Sequence, residues 1–167
     1  MKNGSFKILM FLIVSGSLIA QTKEEKKQKK EDYKNVAYED TKNLIDSGTY
    51  IFNASFVNGG MSLATNTNRF IVKEGEVDID LPFFGSARGD GGYNSNPRIA
   101  YKGVPDKYDV EYIDKKRRSI IKIGIRSSNE RHDITLTVGS SGQTTVKVIS
   151  SSRSSINYSG YLKPLKE

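Results

Sequence analysis

The sequence contains no cysteine and no tryptophan, and it has one histidine and four prolines in 167 residues. Without cysteine there is no disulfide framework, no thiolate metal site, no cysteine nucleophile and no N-terminal cysteine for lipid modification. A single histidine, His132, leaves serine chemistry with one available base. It stands between Arg131 and Asp133 at the start of a strand and near a turn, where an exposed edge residue is expected. Long apolar runs are scarce too. Residues 8–14 (Ile-Leu-Met-Phe-Leu-Ile-Val) fall well short of the roughly 20 residues that cross a bilayer, so no stable membrane span is expected. Walker A and Rossmann glycine patterns are absent, and nothing implies a cofactor.

What the chain does have begins with an address. Lys2 and Lys7 precede the apolar stretch, Ser15, Gly16 and Ser17 loosen it, and Ala20 offers a cleavage point. Residues 1–20 therefore read as a secretory signal peptide. The whole chain carries 26 basic and 19 acidic side chains, a net +7. Removing the signal leaves 24 basic against 19 acidic, or +5. The expected location is periplasmic or secreted, soluble once the signal is removed.

Residues 21–31 read as a charged linker. Residues 23–34 hold six lysines and four acids, and such mixed signs suit a solvated linker or helix face better than a nucleic-acid arm. Residues 32–167 read as one β-rich domain with an N-terminal helix. Tyr33, Val36, Ala37, Thr41, Leu44 and Ile45 recur at helical spacing over about 32–46, with Ser47-Gly48 as the stop. From Thr49 the period becomes two. Tyr50, Phe52, Ala54 and Phe56 share one face; so do Phe70 and Val72, Val77, Ile79 and Leu81, and Tyr108, Val110 and Tyr112. Ile121, Ile123 and Ile125, then Ile134, Leu136 and Val138, continue the pattern. It is the pattern of strands with one wet and one buried face. Short Gly- and Asn-containing separators favour antiparallel neighbours. The expected fold is mainly β (α+β): a curved antiparallel meander of about eight or nine strands with one N-terminal helix.

Three segments carry a resemblance. Leu81-Pro82-Phe83-Phe84-Gly85 follows an alternating strand. A Gly- and Tyr-containing loop and Tyr101-Lys102-Gly103 come next, and Arg153-Ser-Ser-Ile156-Asn-Tyr158-Ser-Gly160 stands near the end. Together they resemble a family of small exported proteins of unknown function common in Bacteroidetes. In that family a Leu-Pro-aromatic-Phe-Gly block and an Arg-x-x-Ile-x-Tyr-x-Gly block recur. Position 83 is Phe where the family has Tyr. The resemblance spans about residues 43–162. It implies export and a mostly β fold, and it supplies no activity.

Physics gives these blocks a plain reading, in which Pro82 ends a strand, one of Phe83 and Phe84 plugs the core, and Arg153 bonds to a sheet end. The functional counterpart is a ligand-binding set, Phe83, Phe84, Tyr93, Arg98, Arg153 and Tyr158, at one mouth of a curled sheet. Aromatic walls with convergent cations suit a small ligand. Asp78 and Asp80 share a face and form the one carboxylate pair a hydrolase would use, although a solvated face explains them. Asp90 lacks the EF-hand spacing, so no metal site is expected. Lys115-Lys116-Arg117-Arg118 reads as a charged hairpin tip. The expected function is non-enzymatic binding of a small hydrophobic ligand, a peptide or an envelope partner. The alternatives are an envelope protein–protein interaction module acting through an edge strand or the basic hairpin, and a carboxylate-dependent hydrolase.

Overall fold

The computed structural model describes residues 5–63, 68–84, 98–127 and 130–166, with side chains from residue 23 onward except residue 127. Tyr93, Asp90 and the rest of the 85–97 loop lie outside the described residues. Among the described residues one helix, α1 (Ser5–Asp46), precedes ten strands. The chain forms two compact units, Met1–Val36 and Ala37–Glu167. In the first, residues 23–36 of α1 are charged and mostly exposed, with Lys34 paired to Glu31 at 2.8 Å. Among the described residues no helix is long and apolar enough to cross a membrane.

In the second unit the last turns of α1 lead into the sheet. The helix ends where expected: the Ser47 N–H bonds to the Asn43 carbonyl at 3.0 Å and the Gly48 N–H to that of Ile45 at 3.1 Å. The strands are β1 (Thr49–Val57), β2 (Met61–Ser62), β3 (Arg69–Lys73), β4 (Glu76–Pro82), β5 (Arg98–Gly103), β6 (Lys107–Ile113), β7 (Arg118–Ser127), β8 (Glu130–Gly139), β9 (Gln143–Ser150) and β10 (Ile156–Pro164). A single 3-10 turn, Asp114–Lys116, joins β6 to β7 and carries the basic tip. The sheet order is β5-β4-β3-β1-β10-β9-β8-β7-β6, with β2 attached to β1. The expected antiparallel meander is therefore present: β3 to β5 and β6 to β10 each lie beside the next, β3 pairs with β1, and β10 returns to β1.

The alternation in sequence becomes the inside and outside of this sheet. Tyr50, Phe52, Phe70, Val72, Val77, Ile79, Leu81, Ile99, Ile121, Ile123, Ile125, Ile134, Leu136, Val138, Val146, Val148, Ile156 and Tyr158 are all buried in one core. At about 25 cal/mol per Å2 of apolar surface, this row supplies the main drive for folding.

The sheet must curl, because its two edges are joined by very little chain. Nine paired strands about 4.8 Å apart would separate β5 from β6 by about 38 Å if flat. The four steps from Gly103 to Lys107 reach at most about 15 Å. Two contacts across the interior agree with this. The Tyr158 hydroxyl on β10 donates to the Pro82 carbonyl on β4 at 2.7 Å. The Tyr50 and Tyr108 hydroxyls, on β1 and β6, meet at 2.7 Å.

All neighbouring pairs along the path are antiparallel, so β5 and β6, eight places apart, run in the same direction. Residues 98–113 are thus one strand path that changes partner midway, bonded first to β4 and then to β7. The change falls where the ladder cannot continue. Gly103 adopts φ +146°, a conformation side-chain-bearing residues rarely take, and Pro105 has no N–H to donate. The result is a curled half-barrel, continuous from β5 round to β6 and interrupted once.

Candidate functional site

One end of the curl is closed by α1. The Tyr38 hydroxyl donates to Asp114 at 3.1 Å, and that of Thr41 to the Ser140 carbonyl at 3.0 Å. Lys42 lies over the rings of Tyr38 and Tyr112 at 5.4 and 5.3 Å, and the Tyr112 hydroxyl bonds to Asp46. Burial, reinforced by the Asp46 carboxylate, pushes the Tyr112 phenol well above its ordinary value.

The two sequence blocks meet at the opposite end. Leu81 is fully buried, Pro82 accepts from Tyr158, and the Arg153 guanidinium lies 5.2 Å from the centre of the Phe83 ring. Arg153 also donates to the Arg98 carbonyl at 3.2 Å and pairs with Glu130 at 3.0 Å. Of the six residues expected in a ligand site, the structure brings Phe83, Arg98, Arg153 and Tyr158 together. Each is engaged inside the protein: the Arg98 guanidinium turns outward to Asp80, and its second nitrogen bonds the Asp80 carbonyl at 3.1 Å. Phe84 is exposed, its carbonyl accepting from the Asn58 side chain at 3.4 Å. Asp78 and Asp80 share the outer face of β4, where Arg69 holds Asp78 at 3.3 Å and Arg98 holds Asp80.

His132 is a correction. It is buried, with only 4% of its surface exposed, because it continues the inward row of Ile134, Leu136 and Val138 on β8. Its Nε2 lies 3.6 Å from Glu130, and its Nδ1 is buried without a hydrogen-bond partner. Glu130 accepts from the hydroxyls of Ser150 and Ser152, the latter at 2.6 Å. Burial lowers the His132 pKa from its ordinary 6.5, with the Arg153 charge acting in the same direction and Glu130 and Asp133 opposing. Burial would raise the Glu130 carboxyl, but the Ser150 and Ser152 hydroxyls and the His132 and Arg153 charges outweigh it and hold it below 4.5.

Both depressed values destabilise the fold in acid. Between 6.5 and the lower folded value of His132, the unfolded chain binds the proton that the folded one refuses, so stability falls as pH drops below about 6.5. Glu130 adds a second loss below about 4.5, where the unfolded carboxyl protonates first. Urea midpoints from pH 8 to 4 should show the upper step vanish in His132→Leu while the lower one stays. An unchanged upper step would place that titration elsewhere.

The third feature is the interruption itself. Along β6 the inward residues Tyr108, Val110 and Tyr112 stand against Ile123, Ile121 and Ser119 of β7, yet they remain partly exposed. Val110 and Tyr112, with Tyr101, pack against the core as its margin, and Tyr108 extends that row into solvent, on the side where β6 has no partner among the described residues. Beside it, on the outer surface, two hollows of about 440 and 540 Å3 share Asp78 and Lys102. Among the described residues no group of three or more His, Asp or Glu could hold a metal ion.

Residues 20–162 match the family described as Domain of unknown function (DUF4251). The chain belongs to the DUF4251 family. The crystal structure, at 1.95 Å, of a DUF4251 family protein from Bacteroides eggerthii DSM 20697 is similar to it, with a TM-score of 0.60 and 20% identity. The match covers 77% of this DUF4251 chain and 88% of that one, and at this identity it concerns the fold alone. No curated protein matches.

Sequence reasoning missed Glu130 and the open margin. Glu130 stands four residues before Ile134 and so has the parity of the buried row, but the Ser-Ser-Asn run before it carries turn chemistry that hides the parity. The margin leaves no mark, because alternation marks faces and not partners.

Proposed function

We propose that this is an exported, non-enzymatic binding domain that takes an apolar ligand at the open margin of β6. Export rests on the charged start, the apolar residues 8–14 and Ala20. One observation carries the binding reading. In the inward row Tyr108, Val110 and Tyr112, the last two pack against the core yet stay partly exposed, Tyr108 is exposed, and the two hydroxyls are already fixed by Tyr50 and Asp46. Rigid aromatics with bonded polar tips present apolar surface at small entropic cost. The two sequence blocks act as the fastening of the far end, where every charged group found has a partner within the protein.

The check is a fluorescent apolar dye, anilinonaphthalene sulfonate, titrated into the protein without residues 1–20. Val110→Thr keeps the shape and adds a hydroxyl, and should weaken dye binding several-fold with little change in thermal midpoint. Equal affinity would place the apolar surface elsewhere. Mass spectrometry of organic extracts from the purified protein then identifies any retained ligand.

A further inference from the structure

We infer that the occupant of this margin is an extended polypeptide, apolar and basic in alternation, that adds to β6 as a further strand. The inference rests on the binding reading above and names its ligand. β6 is paired along all seven residues to β7, from Lys107 opposite Gly124 to Ile113 opposite Arg118. Its other side pairs with no described residue, so alternate N–H and C=O groups of Lys107–Ile113 face outward from the ladder. Such an edge asks for main-chain donors and acceptors, which an apolar small molecule lacks and a strand supplies.

The side chains narrow the occupant further. On the inner face, Tyr108, Val110 and Tyr112 ask for apolar neighbours at every second position. The outer face carries Lys107, Asp109 and Glu111, one base and two acids. Lys107 pairs with Asp109 at 2.9 Å and Lys122 with Glu111 at 3.5 Å, both exposed. Exposed carboxylates in this setting accept a second cation, and directly opposed opposite charges favour strand pairing. A basic residue opposite Asp109 and Glu111 therefore suits β6, and an acidic one there opposes it. The continuing ladder fixes geometry: the added strand extends a sheet in which β6 is the last described member, and the change of partner at residues 103–106 is what leaves that place without a described strand.

The test uses the protein without residues 1–20 and three nine-residue peptides. The first alternates Val or Tyr with Lys. The second is the same peptide N-methylated at every second amide, prepared in both registers. The third has Glu in place of Lys. The expected result is binding of the first, with amide exchange slowed at least tenfold within 107–113. Binding should fall at least tenfold for one N-methyl register and for the Glu peptide, and the Lys-to-Glu difference should shrink in high salt. Equal binding of plain and both N-methylated peptides, without protection in 107–113, overturns strand addition while leaving apolar binding intact. Dye binding that responds to Val110→Thr with no peptide bound does the same. No peptide bound and dye binding indifferent to Val110→Thr overturns both.

Discussion

Gly160→Ala is expected to lower the stability of the domain by about 4 kcal/mol, the range reserved for changes the backbone cannot absorb. Gly160 lies on β10 opposite Ala54, where the register of β1 shifts between Ala54 and Phe56. A Cβ there would run into the Asn53 carbonyl oxygen and stand 2.9 Å from its carbon and 3.1 Å from the Ala54 Cα. All three are main-chain atoms, so no rotamer change relieves the contact. The clash sits in the β1–β10 pairing, the one ladder that joins the first strand of the sheet to the last. Since whole domains are stable by only about 5–15 kcal/mol, the variant should be partly unfolded near 37 °C. Urea denaturation followed by circular dichroism measures it. Gly139→Ala serves as the control, because its Cβ would meet the Gln143 carbonyl at an ordinary 3.4 Å. A Gly160→Ala midpoint matching that of Gly139→Ala would show that the strands slide apart freely.

The second large effect concerns Arg153 and Glu130. Their side chains are 12% and 14% exposed and 3.0 Å apart. Removing one partner from a buried pair costs about 3–5 kcal/mol, because the other charge stays behind without compensation. Arg153→Met should fall in that range: it strands Glu130 among two hydroxyls and His132 and removes the cation from the Phe83 ring. Glu130→Gln should fall near the lower end, since Ser150 and Ser152 keep an acceptor while Arg153 retains the Arg98 carbonyl. The double variant should lose less than the sum of the two, with a coupling of about 1–3 kcal/mol in a double-mutant cycle. Strict additivity would mean that the pair acts as two independent surface charges.

These two sites show how far the sequence carries. The alternation of Tyr50 with Phe52, of Val77 with Ile79 and of Ile134 with Leu136 places these inward rows. It fails at the end of β1, where the register shift between Ala54 and Phe56 turns Phe56 outward, against expectation, and buries Val57 instead. The helix stop at Ser47-Gly48 and the basic tip at 115–118 are local, and local chemistry decides them. That the block 81–84 touches the block 153–160 is a property of the curl and cannot be read from either block alone. Four of the six expected site residues converge for that reason, but their partners, Glu130 for Arg153 and the Pro82 carbonyl for Tyr158, become visible only in three dimensions. His132 was legible in principle, being two positions before Ile134; its charged neighbours Arg131 and Asp133, which face outward, masked its parity. That β6 has no second partner among the described residues was not legible, because Pro105 reads as an ordinary turn until β5 and β6 are seen to run the same way.

The pairing of β1 with β10 also governs when the sheet can form. Tyr50 is in register with Pro164, at nearly opposite ends of the domain. Every other long ladder joins strands that follow one another along the chain or, for β1–β3, are separated only by the two-residue β2. Hairpins of that kind form early, whereas bringing distant ends together carries the full loop-closure entropy and slows folding. Until the last strand arrives, β1 offers one unsatisfied edge to any passing chain, the condition under which partly folded sheets associate with one another. The C-terminal segment thus serves as the clasp of the sheet, and a chain that lacks it should be more prone to aggregate than one shortened within the first unit.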